Sequence, residues 1–238
     1  MRNMRNILVV VWVFIIQTTY SQNVNLSQYY PTNTSIVIDH GDFAISFDTV
    51  RKLPDWSIHI LYHTNSVKCN RKNFTYDKKI DKKYQRGYSF YKNLNADSML
   101  YDRGHLVPFG DFTWDNNYAN KTMIYTNTVP QYYRFNRGLW RKLENHFARY
   151  ARNNMVFLIV ITGVIYKDNK NIPDKFYKIY HSPLYQKSIA FLIDNGNNNN
   201  NNIFNYSMSI DDLETITRLN YFSDTLVIEN EFSLDDWK

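Results

Sequence analysis

The run Met155–Tyr166, MVFLIVITGVIY, constrains this chain more than any other stretch. It is β-branched, almost wholly apolar and without polar alternation, the pattern of a buried central strand in a sheet. Ser188–Asp194 (SIAFLID) is its expected partner. Trp56–Thr64 (WSIHILYHT) alternates as another strand, and Ser35–Thr49 (SIVIDHGDFAISFDT) reads as two short strands around an Asp39-His40-Gly41-Asp42 turn. Between these strands lies a strong helix candidate in FNRGLWRKLENHFARYARN, where Leu139, Trp140, Leu143 and Phe147 share one face. Ser209–Phe222 predicts a second helix with a Ser or Asp cap and Leu213, Ile216 and Leu219 to bury. The expected fold is α+β: one domain with an antiparallel sheet core and helices packed on it.

Two regions look less ordered. Residues 66–97 are polar and rich in Lys, Asn and Tyr, and read as irregular surface. Asn195–Asn202 (NGNNNNNN) reads as a surface loop with no expected function. The 238 residues carry one cysteine, Cys69, so no internal disulfide can form and stability rests on the apolar core. A hydrophobic share of 44% supplies that core, and 7 Gly with 6 Pro exclude a fibrous or linker-rich chain.

The N-terminus places Arg2 and Arg5 before ten apolar residues, Ile7–Ile16, and then a polar stretch ending at Ser21. This is the layout of a secretory signal peptide, residues 1–21, with the mature domain at 22–238. Ten apolar residues are too few to span a bilayer, so no stable membrane association is expected after cleavage. A mitochondrial presequence is the rival reading, but it should be amphipathic and richer in Arg. Cleavage removes two arginines and no acid, lowering the formal net charge from +6 to +4. That balance suits a polyanionic partner only weakly. Five N-x-S/T sequons, at Asn25, Asn33, Asn73, Asn120 and Asn205, add modest support for secretion. The sequence leaves oligomeric state open.

The chemistry concentrates in YDRGHLVPFGDF, Tyr101–Phe112. Phosphodiester hydrolysis needs a base for water, a hard cation to polarise the phosphate, and fixed positive charge for the transition state. Here His105 offers the base and Arg103 the charge, and on a strand both point to one side. Gly104 between them is expected to admit a bulky ligand to the backbone. The missing metal ligand is sought downstream, where Asn136 heads the helix and Glu144 lies two turns on; both are oxygen donors suited to Mg²⁺. Roughly 12 Å would separate their Cα atoms on an ideal helix, so Asn136 is assigned the direct bond and Glu144 a role through water. Singly, each residue has an ordinary alternative: an Asp–Arg turn, a helix cap at Asn136, a solvated Glu144. The remaining histidines (His40, His59, His63, His146 and His181) show no partner pattern and are read as structural.

Taken together, YDRGHLVP (101–108), TNTVPQ (126–131) and FNRGLWRKLE (135–144) resemble the DNA/RNA non-specific endonucleases of the ββα-metal superfamily, which include secreted bacterial nucleases and mitochondrial endonuclease G. The resemblance implies that His105 is the general base and Asn136 the direct ligand of one Mg²⁺, with Mn²⁺ an alternative ion. It further implies that Glu144 orients a metal-bound water, Arg103 steadies the transition state, and Asn127 aligns His105 or the substrate. DNA and RNA are the implied substrates, cut to 5′-phosphate and 3′-hydroxyl ends with little sequence preference. Some members carry arginine where this chain has Ala148, and Arg149 or Arg152 is the expected substitute. Arg134, Arg137 and Arg141 are expected nucleic-acid contacts, and Lys78, Lys79, Lys82, Lys83 and Arg86 either a second phosphate track or a solvated loop. The competing expectations are an inactive nucleic-acid-binding protein on the same fold and an organelle nuclease of the endonuclease G kind.

Overall fold

The computed structural model describes residues 24–32, 35–98, 100–167, 170–198, 201–222 and 233–237; the expected leader and the Asn33 sequon lie outside them. In chain order the strands and helices are β1 (Ile36–Asp39), β2 (Phe43–Asp48), β3 (Leu53–Leu61), α1 (Tyr88–Leu94), β4 (Tyr101–His105), α2 (Asn116–Lys121), β5 (Thr128–Tyr132), α3 (Arg141–Asn154), β6 (Leu158–Ile165), β7 (Lys175–Ser182), β8 (Lys187–Asp194), β9 (Ser207–Met208) and α4 (Ile210–Thr217). Seven strands form one sheet in the order β1-β2-β3-β6-β7-β8-β9, every neighbouring pair antiparallel, while β4 and β5 form a separate ribbon. The fold is therefore the α+β architecture expected.

β6 is central, and both of its faces are covered. Leu158, Val160 and Val164 pack with Leu139, Trp140, Leu143, Phe147 and Ala151 around α3. Ile159 and Ile161 pack on the other side with Leu26, Tyr29, Leu213, Tyr221 and Phe222. Two apolar faces leave no reason for polar alternation, which explains the unbroken run in the sequence. The Asp39–Asp42 turn also forms as read: Gly41 has φ +84°, and its N–H donates to Asp39 Oδ1 at 2.6 Å.

Two expectations are corrected. The neighbours of β6 are β3 and β7, and β8 pairs with β7 one strand further out. β7 escaped notice because Lys175, Lys178 and His181 break its apolar pattern. Yet Lys178 and His181 are buried, each matched by a polar partner: Lys178 Nζ by Glu144 Oε1 at 2.8 Å, and His181 Nδ1 by Ser188 Oγ at 2.9 Å. In the second case α4 buries Leu213 but leaves Ile216 exposed, and Arg218 turns left-handed (φ +58°) and ends the helix before Leu219. Residues 66–97 are largely irregular, as read, except for α1.

Burial holds the His181 imidazole down at about 4, below its ordinary range. The folded state therefore keeps it neutral, and that contribution is present above pH 6.5 and lost as pH falls through about 4. Urea titrations should show His181→Gln flattening the loss of stability between pH 7 and pH 5 by about 2 kcal/mol relative to wild type. Identical pH slopes for the two proteins would exclude His181 as a source of acid sensitivity.

Candidate active site

The β4–β5 ribbon sets His105 opposite Thr128 and Arg103 opposite Pro130. Arg103 and His105 both line one cleft of about 1280 Å³, as strand alternation requires. Gly104 serves a different purpose from the one expected. A Cβ there would lie 2.3 Å from Gln131 Oε1 and 2.5 Å from Gln131 Cβ, so the glycine admits the β5 side chain rather than a ligand.

Asn127 fixes the chain just beyond His105. Its Oδ1 accepts from Val107 N at 2.9 Å, its Nδ2 donates to Val107 O at 2.9 Å and Thr122 O at 3.0 Å, and its carbonyl accepts from Leu106 N at 3.1 Å. Asn127 is fully buried, so it positions His105 through the backbone and does not face the cleft. The His105 ring packs 5.0 Å from the Phe74 centroid, and Arg71 Nη2 lies 3.4 Å from each ring nitrogen. Burial, Arg71 and Arg103 together push its pKa down to about 3, so the imidazole is neutral at pH 7.

The two arginines lack carboxylate partners among the described residues. Arg71 is held by Met123 Sδ at 3.3 Å and by the Phe109 ring at 5.0 Å, and Arg103 lies 4.8 Å over the Phe74 ring. Arg71 was missed in the sequence because its segment reads as polar coil.

Asn136 is not a helix N-cap. Its backbone is already helical (φ −54°, ψ −51°), and its Nδ2 donates 2.8 Å across to Asp102 Oδ2. Between the turn Tyr133–Phe135 and α3 lies a wide five-residue turn, Asn136–Trp140, with Gly138 outside helical geometry (φ −106°, ψ −106°). Asp102 also takes both prongs of Arg137, Nε at 2.9 Å and Nη2 at 2.6 Å. The Asp102–Arg103 turn pair weighed in the sequence is therefore replaced by an Asp102–Arg137 pair.

Glu144 lines the cleft and pairs with Lys178, whose ammonium also sits 4.7 Å over the Trp140 ring. Burial raises the Glu144 pKa, and Lys178 opposes that shift. Asp111, close by in the same cleft, pairs with the fully buried His59 at 2.9 Å. Neither Lys178 nor Asp111 was assigned a role from sequence; a lysine inside a strand pattern was the available signal.

Arg137 and Arg141 reach the cleft, as do Arg152 and Ala148, whereas Arg134 and Arg149 are not among its lining residues. Arg134 instead donates to Tyr133 Oη at 2.8 Å. The 78–86 run is also elsewhere: Lys79 bonds the Asp39 carbonyl, and Arg86 bonds the Arg51 carbonyl and Asn171. Arg71, Lys72, Lys92, Arg103, Arg137, Arg141 and Arg152 thus share the cleft lining with Asp102, Asp111 and Glu144, and each of these carboxylates already has its own partner. The surplus is positive and calls for an anion.

Among the described residues no cluster of three or more His, Cys, Asp or Glu could hold a metal. The donors present fit a sparsely held hard cation instead. With its Nδ2 bonded to Asp102, Asn136 keeps Oδ1 as an acceptor with no hydrogen-bond partner among the described residues, and Glu144 adds carboxylate oxygens in the same cleft.

The profile of the DNA/RNA non-specific endonuclease family matches residues 21–227. The chain belongs to that family. The salivary endonuclease of Lutzomyia longipalpis is 29% identical over 188 residues, covering 66% of this chain and 46% of that protein. The mitochondrial nuclease EXOG of Homo sapiens is 24% identical over 227 residues, covering 82% and 60%. The chain thus spans about half the length of such curated relatives. The solved complex of EndoG with EndoGI contains a chain with the same fold, at TM-score 0.67 and 22% identity, over 83% of this chain and 89% of that one.

The buried Glu144–Lys178 pair is costly to break from one side. Lys178→Met should lower unfolding stability by about 3 kcal/mol, since it leaves a largely buried carboxyl group without its partner. Lys178→Met combined with Glu144→Gln should recover most of that loss. Chemical denaturation of both proteins checks this, and equal losses would refute the pairing.

Proposed function

We propose that this chain is a secreted, Mg²⁺-dependent endonuclease that hydrolyses phosphodiester bonds in DNA and RNA, leaving 5′-phosphate and 3′-hydroxyl ends. The observation that carries this reading is a neutral His105 between two guanidiniums that lack carboxylate partners among the described residues. Arg71 and Arg103 draw the scissile phosphate to the imidazole and match the charge that grows on it. His105 takes the proton of the attacking water through a ring nitrogen that is unprotonated at neutral pH. Arrival of the phosphate offsets the two positive charges that depress the imidazole, which raises its basicity where the proton is transferred.

Asn136 Oδ1 would hold the cation directly, with Asp102 fixing the amide, and Glu144 would act through water. When bound, the ion supplies Lewis-acid stabilisation of charge on the phosphate and the leaving oxygen. Lys178 opposes the upward shift that burial imposes on the Glu144 carboxyl. Arg137, Arg141 and Arg152 extend the cationic wall along the duplex or strand. Contacts of this kind reach phosphate and sugar alone, so little sequence preference follows. The leader-like residues 1–21 and the likeness to a salivary endonuclease favour secretion over the mitochondrial address of the EXOG relatives.

Purified residues 22–238 should degrade plasmid DNA and RNA with Mg²⁺ and leave both intact in EDTA. His105→Ala should lower kcat by roughly 10²- to 10⁴-fold, the ordinary yield of general-base catalysis. A His105→Ala protein as active as wild type would remove the imidazole from the mechanism, and binding without cleavage at every Mg²⁺ concentration would select a non-catalytic nucleic-acid-binding protein.

A further inference from the structure

One wall of the cleft has no part in the chemistry above. It is built by α1 (Tyr88–Leu94), from which Tyr88 and Lys92, one helical turn apart, both line the cleft. Tyr88 is 62% exposed, and neither its ring nor its hydroxyl has a partner among the described residues. Lys92 likewise has no carboxylate partner there.

The rest of the helix is fastened down. Tyr91 is buried, and its hydroxyl lies 3.0 Å from Thr128 Oγ1, on the residue that pairs with His105 across the ribbon. Just past its end, Asn95 donates to the carbonyls of Tyr91 (3.0 Å) and Tyr101 (2.9 Å) and accepts from Tyr101 N at 2.9 Å. At its start, a Cβ on Gly87 would come within 2.1 Å of Tyr76 Oη, so the glycine lets the helix seat closely. The helix is tied along the strand that carries the base, and the two side chains facing the cleft contribute nothing to that attachment. A rigidly mounted aromatic ring beside a free cation, in a positive cleft, has the makeup of a platform for a base and its phosphate.

We infer that Tyr88 and Lys92 form a subsite for one unpaired nucleotide of the substrate, the base stacked on the Tyr88 ring and the phosphate on the Lys92 ammonium. The inference rests on the nuclease reading and adds a substrate class to it: single-stranded or locally opened nucleic acid. In a duplex the face of each base is covered by its neighbours, so only an unstacked base meets the ring. Duplexes still engage the arginines through their phosphates, and the subsite therefore grades substrates rather than deciding whether they are cut.

The test measures binding by fluorescence anisotropy with full-length His105→Ala protein in EDTA, on one labelled oligonucleotide offered as a single strand and as a duplex. Adding Tyr88→Ala should weaken single-strand binding roughly 5- to 150-fold, the span of a lost base–aromatic stack, and duplex binding by no more than a small factor. Tyr88→Phe should keep the single-strand affinity, and Lys92→Ala should weaken both forms while flattening their salt dependence. Equal losses on both forms, no loss on either, or a Tyr88→Phe protein as weak as Tyr88→Ala would overturn the subsite. Cleavage of plasmid and RNA by wild type is assayed separately. If wild type cuts neither, the nuclease reading falls, while the ratio of single-strand to duplex binding still decides the subsite.

Discussion

The Glu144–Lys178 ion pair is the constraint around which the site is organised. Lys178 stands in the interior of the sheet on β7, and Glu144 stands on α3 among the residues that line the cleft. Neither charge is tolerable alone in that position, so each requires the other, and the helix must lie where the lysine can reach it. Apolar packing of Leu143 and Phe147 would permit some sliding of α3 over the sheet, but a 2.8 Å bond between charged groups would not. The same pair sets a carboxyl group beside an ammonium at the surface of a cleft that carries an excess of cations. Packing and chemistry are thereby tied to one contact.

A comparable logic governs the ribbon. Asn127 uses both ends of its amide and its own carbonyl to hold residues 106–107, and Gln131 closes on the hydrogen of Gly104. His105 is positioned by attachments on either side of it, and among the described residues its ring nitrogens meet Arg71. An imidazole that titrates far below neutrality is poised to respond to whatever anion replaces water beside those two arginines.

The parts of this structure that were legible in the sequence are those written in local pattern. The unbroken apolar run of β6, the helical face Leu139–Phe147 and the Asp39–Asp42 turn each carry their signal within a few residues. β7 was hidden because its polar residues are satisfied from elsewhere: Lys178 by a helix that precedes it by some thirty residues, His181 by the next strand. Asp102 and Asn136 were both noticed, but their mutual bond spans 34 positions and no spacing rule reports it. Arg71 shows the same limit from the other direction, since its value comes wholly from lying beside His105. Gly104 marks a subtler limit: a glycine signals close approach without naming the approaching group, which here is Gln131 of the neighbouring strand.

The wide turn Asn136–Trp140 carries a consequence of its own. An α-helix advances about 100° per residue, so the extra residue in such a turn resets the angular phase between the helical turn before it and the helix after it. Asn136 faces Asp102 while Leu143 and Phe147 face the sheet, an arrangement that an unbroken helix of regular pitch would have to reach by other means. Shortening the turn by one residue would leave the core side of α3 in place and swing Asn136 away from its partner. The Asn136–Asp102 contact thus depends on the length of this turn, whereas the packing of Leu143 and Phe147 does not.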